Sequence, residues 1–467
     1  MKKYNRPKTI LLIITLISFI ICFVSCAKKL DIKPNQALLV PSTPQDFQAI
    51  LDGNSVMNAS YPILGEAGSD NYYLQNSRWA ALSAVDQNIY IWTKDLFPSG
   101  VTVNDWNGSF TRIRVTNAVL EGLDGITSTY RNSADYKNAR GCALFFRAYS
   151  NYSLAQIFCK SYNSSTASID LGIPLRLTSN VLEQPVRSSV QQTYDQITSD
   201  LLEAGNLLPV TTPYKTRPSK IAVDAMLARV YLSMSNYDKA LQYASSSISQ
   251  YATLLDYNSL TISSAFPLAL FNSEVIFHAE LLTANATNGG GAIFYNNTSC
   301  AVDTNLYKSY STNDLRKLAF FATQPTGLFT WKGSYVQSIT LFGGIANDEI
   351  YLIRAECNAR KSNTAMAMQD LNALLINRWK SGTFQPFTAT DPNDALRQIL
   401  VERRKELLFR GLRWTDLRRL NIDPNFAVTL SKVVNSQTYT LLPNSLRYVY
   451  PIPQDEINIS SIQQNDR

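Results

Sequence analysis

Histidine is almost missing from this chain of 467 residues, which has one, His278. Catalysis that pairs a nucleophile with histidine, and metal sites built on imidazole, therefore have almost no material. In SEVIFHAEL the alternation around His278 reads as a strand or extended segment, and a lone histidine there reads as a packed side chain. Cysteine is nearly as scarce. Of the six, Cys22 and Cys26 lie in the N-terminal segment, and Cys142, Cys159, Cys300 and Cys357 show no metal-ligand spacing. Cys142 and Cys159 fall on one predicted helix about 25 Å apart at 1.5 Å per residue, too far to bridge, so buried free thiols are expected. Charge is sparse at 17%, and the balance of +7 includes Lys2, Lys3, Arg6 and Lys8; without those four the remaining +3 is too small for a nucleic-acid surface. The glycine-rich stretch NATNGGGAIFYNNTS lacks the Lys-Ser or Lys-Thr of a phosphate loop, so Gly289, Gly290 and Gly291 read as a tight or mobile loop. No cofactor and no metal site is expected.

What is present is a large apolar and aromatic fraction: 45% hydrophobic residues, with 25 Tyr, 20 Phe and 6 Trp. That is enough for a large core, and disorder is not indicated. Lys2, Lys3, Arg6 and Lys8 form a basic start, and the apolar run Ile10 to Phe23 is shorter than the roughly 20 residues of a bilayer-spanning helix, which together read as a signal peptide over 1–25. Phe23, Val24, Ser25 and Cys26 resemble a bacterial lipobox, with Phe where Leu is usual. Acylation of Cys26 would anchor the chain to a membrane without spanning it. Residues 26–44, polar and carrying Pro34, Pro41 and Pro44, read as a tether of up to about 3.3 Å per residue. The rest, 45–467, reads as one domain.

Helical signals dominate that domain. TPQDFQAILDGNS is a short helix capped at Thr43 or Ser42 and ending at Gly53. Trp106 to Ile126 and Ala139 to Phe158 follow at helical spacing, the second strongly aromatic through Cys142, Phe145, Phe146, Tyr149 and Tyr152. TYDQITSDLLEAGNLLP gives another helix closed by Pro209. Two later stretches resemble tetratricopeptide hairpins and each other. One turns at Ser235 and Asn236 with Leu227, Ala228 and Tyr231 facing Ala240, Leu241 and Ala244; the other turns at Ser362 and Asn363 with Leu352, Ala355 and Ala359 facing Ala365, Met368 and Leu371. Small alanines at the crossings let helices approach closely. Other material is inserted between the two pairs, so no simple tandem array is expected.

Two stretches interrupt the helical pattern. Tyr61 to Trp106 mixes Tyr72, Tyr73, Trp79, Tyr90 and Trp92 with Asp70, Asn71, Asn76 and Arg78 among turn formers. A pyranose offers an apolar face that stacks on a ring and hydroxyls that need fixed partners, so rings beside amides and guanidinium suit a sugar site; the same rings also suit a loop packed onto a core. The second stretch is a loop-rich insertion, about 272–344, in which Phe329, Trp331 and Tyr335 stand near Lys332 and Gly333.

Ala395 to Leu420, ALRQILVERRKELLFRGLRWTDLRRL, organises the rest. It reads as one charged amphipathic helix running into a tight turn, with Leu396, Ile399, Leu400, Leu407 and Leu408 on one face and Glu402, Arg403, Arg404, Lys405 and Glu406 crowded between. Two readings fit. One is a solvated face; the other is internal pairing, with Glu402 reaching Lys405 and Glu406 reaching Arg403 or Arg410. Gly411 supplies a left-handed exit. ERRKELLFRGLRWTDLRRL closely resembles the C-terminal signature of the SusD/RagB family of surface lipoproteins, Arg-Arg-Lys-Glu-Leu followed by Gly-x-Arg-x-x-Asp-Leu-x-Arg. The Ala-x-x-x-Arg-Ala-Tyr pattern ending at Tyr149, and the closing RYVYPIPQDEINISSIQQN, resemble the same family.

This resemblance implies a mainly α fold, a superhelix of tetratricopeptide-like hairpins with loop-rich insertions and a few short strands. It also implies a function other than catalysis: family members capture a glycan or, in some members, a peptide at the outer membrane and close like a lid over a SusC-type TonB-dependent transporter. Family members bind through aromatics of the early and late loop regions brought together. Carried onto this chain, those are Trp79, Tyr90 and Trp92 with Tyr295, Trp331 and Tyr335. Lys28 and Lys29 are not the acidic residues that often mark surface export in these bacteria, so exposure at the cell exterior rests on the resemblance. Two other classes remain open: a surface hydrolase using a carboxylate pair such as Glu66 and Asp70, and a helical scaffold lipoprotein that binds only protein.

Overall fold

Thr43 opens the first helix, α1 (Pro44–Leu51), with a capping box: its hydroxyl accepts from the Asp46 N–H at 3.3 Å, and its own N–H donates to Asp46 Oδ2 at 2.9 Å. The structure is a computed structural model and describes residues 40–282, 291–294 and 300–467. Phe47 seats α1 on α2 (Asn104–Gly125) over Gly122, where an added Cβ would come within 2.2 Å of the ring. Only glycine permits that approach. Next comes α3 (Ala134–Phe158), which packs between α2 and α4 (Val190–Leu207) and is buried on nearly every side, Cys142, Phe145, Phe146, Tyr149 and Tyr152 included. A helix so enclosed needs an apolar surface all round, which explains its aromatic content. Its Arg147 is also buried, held by Asp200 of α4 at 2.8 and 2.7 Å and by Asn117 of α2 at 3.0 Å.

The two hairpins form where the spacing predicts, except that Ala365, expected at the second crossing, is exposed and Ala367, on the inner face of its helix, takes that place. They are α5 (Lys220–Ser233) with α6 (Tyr237–Gln250), and α7 (Asn347–Arg360) with α8 (Thr364–Leu375). Ser235 and Ser362 take left-handed backbone at φ 58° and 63° to make the two turns. Ala228, Ala240 and Ala244 in the first hairpin, and Ala355 and Ala367 in the second, are fully buried at the crossings. Although the insertion separates the pairs in sequence, α6 packs directly against α7, so the hairpins stack and the inserted chain folds out to the side. The fold is mainly α. Within Thr43–Arg467 the chain forms one compact unit.

The charged signature divides into α9 (Pro392–Glu406) and α10 (Arg413–Leu420), joined by a turn in which Phe409 (φ 56°) and Gly411 (φ +72°) are left-handed. Leu396 and Ile399 pack with Leu371 and Leu374 of α8. The charges beside them are not a solvated face: Glu402, Arg403, Lys405 and Glu406 are all buried. Lys405 reaches Glu402 at 2.7 Å, as the helical spacing predicts. Glu406, expected to pair with Arg403 or Arg410, instead receives Arg316 at 2.9 Å and Arg378 at 2.7 Å. Arg403 turns to Asp416 at 2.8 Å and Arg410 to Asp348 at 2.9 Å. The correction has a physical cause, since a buried carboxylate takes the partners that tertiary packing brings and not only those one helical turn away. Arg316, Asp314 and Glu274 belong to the insertion, so this ion network clips the insertion to the helical scaffold.

Short strands complete the unit. A four-stranded antiparallel sheet contains β1 (Tyr72–Leu74), β2 (Cys300–Val302), β3 (Phe321–Thr323) and β4 (Phe329–Trp331) in the spatial order β1-β2-β4-β3. Near the C-terminus β5 (Leu430–Val434) and β6 (Gln437–Leu441) form a hairpin. Two further pairs join Leu171–Pro174 with Arg187–Ser189 and Val275–Phe277 with Ile345–Ala346. The four cysteines in the described residues are free and buried, and His278 packs with Nε2 3.1 Å from Glu280.

Candidate functional site

The four-stranded sheet joins the two ring-rich stretches. Its register aligns Tyr73 with Ala301, Ala301 with Thr330, and Thr330 with Ala322, so β1 of the early stretch and β4 of the insertion lie in one sheet with a single strand between them. Alternation along β4 places Phe329 and Trp331 on one face, two residues apart. Trp331 is half-buried; its ring packs on Phe320 at 4.9 Å and on Phe409 of the signature turn at 5.2 Å. Beside it lies a small apolar recess lined by Phe294, Cys300, Ile339 and Leu341, about 20 Å³ in volume. Trp79, in the helical turn Asn76–Ala80 that follows β1, is also half-buried, its Nε1 donating to the Gln87 carbonyl at 3.3 Å.

Three of the rings that the sequence nominates for binding are core residues. Tyr90 is fully buried, its hydroxyl accepting from the Leu74 N–H at 2.9 Å. Trp92 is 1% exposed and donates Nε1 to the Gly68 carbonyl at 2.8 Å. With Tyr72 these rings enclose Lys432 of β5, whose ammonium sits 3.9 Å from the Tyr90 ring centre, 4.5 Å from Tyr72 and 5.1 Å from Trp92. Burial pushes the Lys432 pKa down to about 7, against the pull of Asp70, Cys300 and Glu66. Tyr335 is 2% exposed, its hydroxyl 2.8 Å from Glu274 and its ring under the Arg410 guanidinium at 4.7 Å. None of these three rings has a face free for a ligand. Local sequence does not separate them from Trp79 and Trp331, because buried and exposed rings here share the same polar neighbours. Tyr295 and Cys26 lie outside the described residues.

The structure adds Tyr307, from the helical turn Thr304–Lys308, which stacks on Phe329 at 3.5 Å with planes 12° apart; both rings are half-buried. Phe329 had a signal in its two-residue spacing from Trp331. Tyr307 had none, since its place beside β4 is a tertiary contact. The result is a row of partly exposed rings, Tyr307, Phe329 and Trp331, on one side of the insertion.

Glu66 and Asp70 are each held by fixed internal partners. Glu66 is fully buried and accepts from Ser69, Asn71 and the Gly411 N–H at 3.1, 2.8 and 3.0 Å, with burial raising its pKa. Burial would also raise Asp70, but Arg413, bidentate at 2.7 and 2.8 Å, and Arg404 hold it well below the usual carboxylate range. Glu66 has its oxygens taken by these donors in the core, and Asp70 is held ionised by its two arginines. Among the described residues no group of three or more His, Cys, Asp or Glu is placed to hold a metal ion.

Comparison with known proteins agrees with this architecture. A SusD-like family model described as starch-binding and associating with the outer membrane matches residues 28–232, and a SusD family model matches residues 348–466. A SusD superfamily protein from Bacteroides thetaiotaomicron has the same fold, at TM-score 0.69 and 23% identity over 91% of this chain and 100% of that one. A sugar-binding protein, so named, from Bacteroides vulgatus superposes at TM-score 0.72 with 21% identity over 91% and 99%. A laminarin-binding SusD-like protein superposes at 0.65 with 18% identity over 91% and 99%. No curated protein matches. The matched segments flank the insertion and take in the aromatic helix α3, the signature helices α9 and α10 and the closing motif: the chain belongs to the SusD/RagB family.

Proposed function

We propose that this protein is a non-catalytic, lipid-anchored binding protein of the outer membrane that captures a glycan at the cell surface and delivers it to a SusC-type TonB-dependent transporter. The observation that carries the reading is the sheet that presents Trp331 and Phe329 beside Tyr307 as partly exposed rings on one side of the insertion. Rings of this kind stack on the apolar face of a sugar, and the neighbouring polar chain orients its hydroxyls. A family described as starch-binding, and a laminarin-binding relative of the same fold, support the ligand class. Anchoring rests on the Cys26 motif. Among the described residues no helix is long and apolar enough to cross a membrane.

Affinity from the ring surface alone is modest, because transport supplies further contacts when the protein closes over its partner. Calorimetric titration with a panel of oligosaccharides, polysaccharides and mixed peptides tests the proposal. A glycan that binds the parent and weakens at least tenfold with Trp331→Ala supports it; binding confined to peptides moves the ligand class to peptide, and silence across the panel together with no co-purifying transporter removes the reading.

A further inference from the structure

A cleft of about 250 Å³ opens between the chain leaving α3, the end of α10 and the loop 442–449. It shares no element with the four-stranded sheet. Arg418 lines it, is only 4% exposed, and takes part in no ion pair among the described residues; the groups acting on its charge are tyrosines and Cys159, not carboxylates. Its two Nη groups donate to the carbonyls of Gln156 and Cys159 at the C-terminal end of α3. A helix end supplies roughly half a negative charge, so about half of the guanidinium charge stays uncompensated. Burial works against that charge and lowers the Arg418 pKa.

The rest of the wall adds hydrogen-bonding groups without adding charge. Lys160 and Asp170 pair at 2.7 Å and cancel. Ser161, Asn163 and Ser445 also line the cleft, while Ile422 and Leu446, 46% and 47% exposed, make an aliphatic edge. The volume corresponds to about eight waters at ~30 Å³ each, the scale of one sugar ring or a dipeptide. A second recess of about 210 Å³ shares Lys160, Asp170 and Val449 with it and continues toward the C-terminus, where Asp466 adds a carboxylate, so the positive end of the cleft is the one at Arg418. The Arg418 end of the cleft, positive and walled by neutral hydrogen-bonding groups, selects a ligand with one negative charge on a polar frame.

We propose that this cleft binds the carboxylate of a small polar molecule, a sugar acid or the end of a short peptide, at a site separate from the Trp331 surface. The carboxylate faces Arg418, and the hydroxyls or amides of the ligand meet the rim.

Titrations of the full-length protein in detergent test it, using two matched pairs: galacturonate against galactose, and alanylalanine against its amide. At least one acid binds saturably and ten or more times tighter than its neutral partner, and which acid does so names the source. Ser445→Asp places a like charge at the rim and weakens that acid at least tenfold. Ser445 caps a short turn by accepting from the Arg447 N–H at 3.3 Å, a role aspartate fills equally, so the variant keeps the fold. Arg418→Gln, monitored by thermal melting because this residue also caps α3, loses the preference for the acid. Trp331→Ala leaves it unchanged, which separates this site from the proposed glycan surface. Equal binding of acid and neutral partner, indifference to Ser445→Asp, loss on Trp331→Ala, or no saturable binding of either acid each overturns the proposal.

Discussion

Arg316 and Glu406 meet at 2.9 Å, Nη1 to Oε2, with both side chains closed off from solvent. Arg316 comes from the insertion and Glu406 ends α9, so this contact ties the ring-bearing sheet to the helical scaffold. Glu406 takes a second arginine, Arg378, at 2.7 Å, and Arg378 in turn reaches Glu274 of the insertion at 2.6 Å.

Glu406→Gln therefore leaves two buried guanidinium groups short of a counter-charge. Removing one member of a buried pair costs about 3–5 kcal/mol. Urea unfolding is expected to show a loss of that order, with Arg316→Leu in the same range. A loss below about 1 kcal/mol in both would show that the network is not what holds the insertion.

Lys432→Met should stabilise the protein, and more at low pH than at high. The folded pKa of Lys432 is about 7, whereas a free lysine titrates near ~10.4. Between those values the unfolded chain binds more protons, so the parent gains stability as pH rises from about 7 to about 10, and below 7 it carries the full cost of the buried charge. Each pK unit is worth about 1.4 kcal/mol, and the three rings return up to about 2 kcal/mol through contact with the cation. The expected advantage of Lys432→Met is thus roughly 3 kcal/mol at pH 6, shrinking by pH 9. Urea midpoints at the two pH values decide it; an advantage that does not depend on pH would rule the titration out.

Two tryptophans should behave oppositely. Trp92 is 1% exposed and bonded to Gly68, so Trp92→Ala is expected to cost about 3–5 kcal/mol of stability. Trp331→Ala should cost less stability but lower glycan affinity at least tenfold, about 1.4 kcal/mol. Thermal melts and calorimetry on both proteins separate the roles.

Cys26→Ala tests the anchor. If Cys26 carries the lipid, the variant leaves the outer-membrane fraction and appears in soluble fractions, as immunoblots of fractionated cells would show. Retention in the membrane would require another attachment.

How far these features were legible in sequence differs by interaction range. The turns at Ser235 and Ser362 are local, and the spacing of the flanking alanines located both hairpins. The Lys405–Glu402 pair is local too and was read from helical spacing. Glu406 was assigned the wrong partners because Arg316 stands 90 positions away and only the folded insertion brings it near. The same limit applies to the rings. Tyr90, Trp92 and Tyr335 sit beside polar residues just as Trp331 does, and their burial depends on Lys432, Glu274 and Arg410 arriving from distant segments.

By itself the sequence determined the family, the helical class, the two hairpins and the capped start of α1, because periodicity, small residues at crossings and capping chemistry act over one or two turns of chain. The tertiary structure alone decided that the charged signature is a buried ion network, that the early and late ring-rich segments share a sheet, and which rings keep a face toward solvent. Burial and counter-charge are sums over neighbours from the whole chain, and no local pattern contains them.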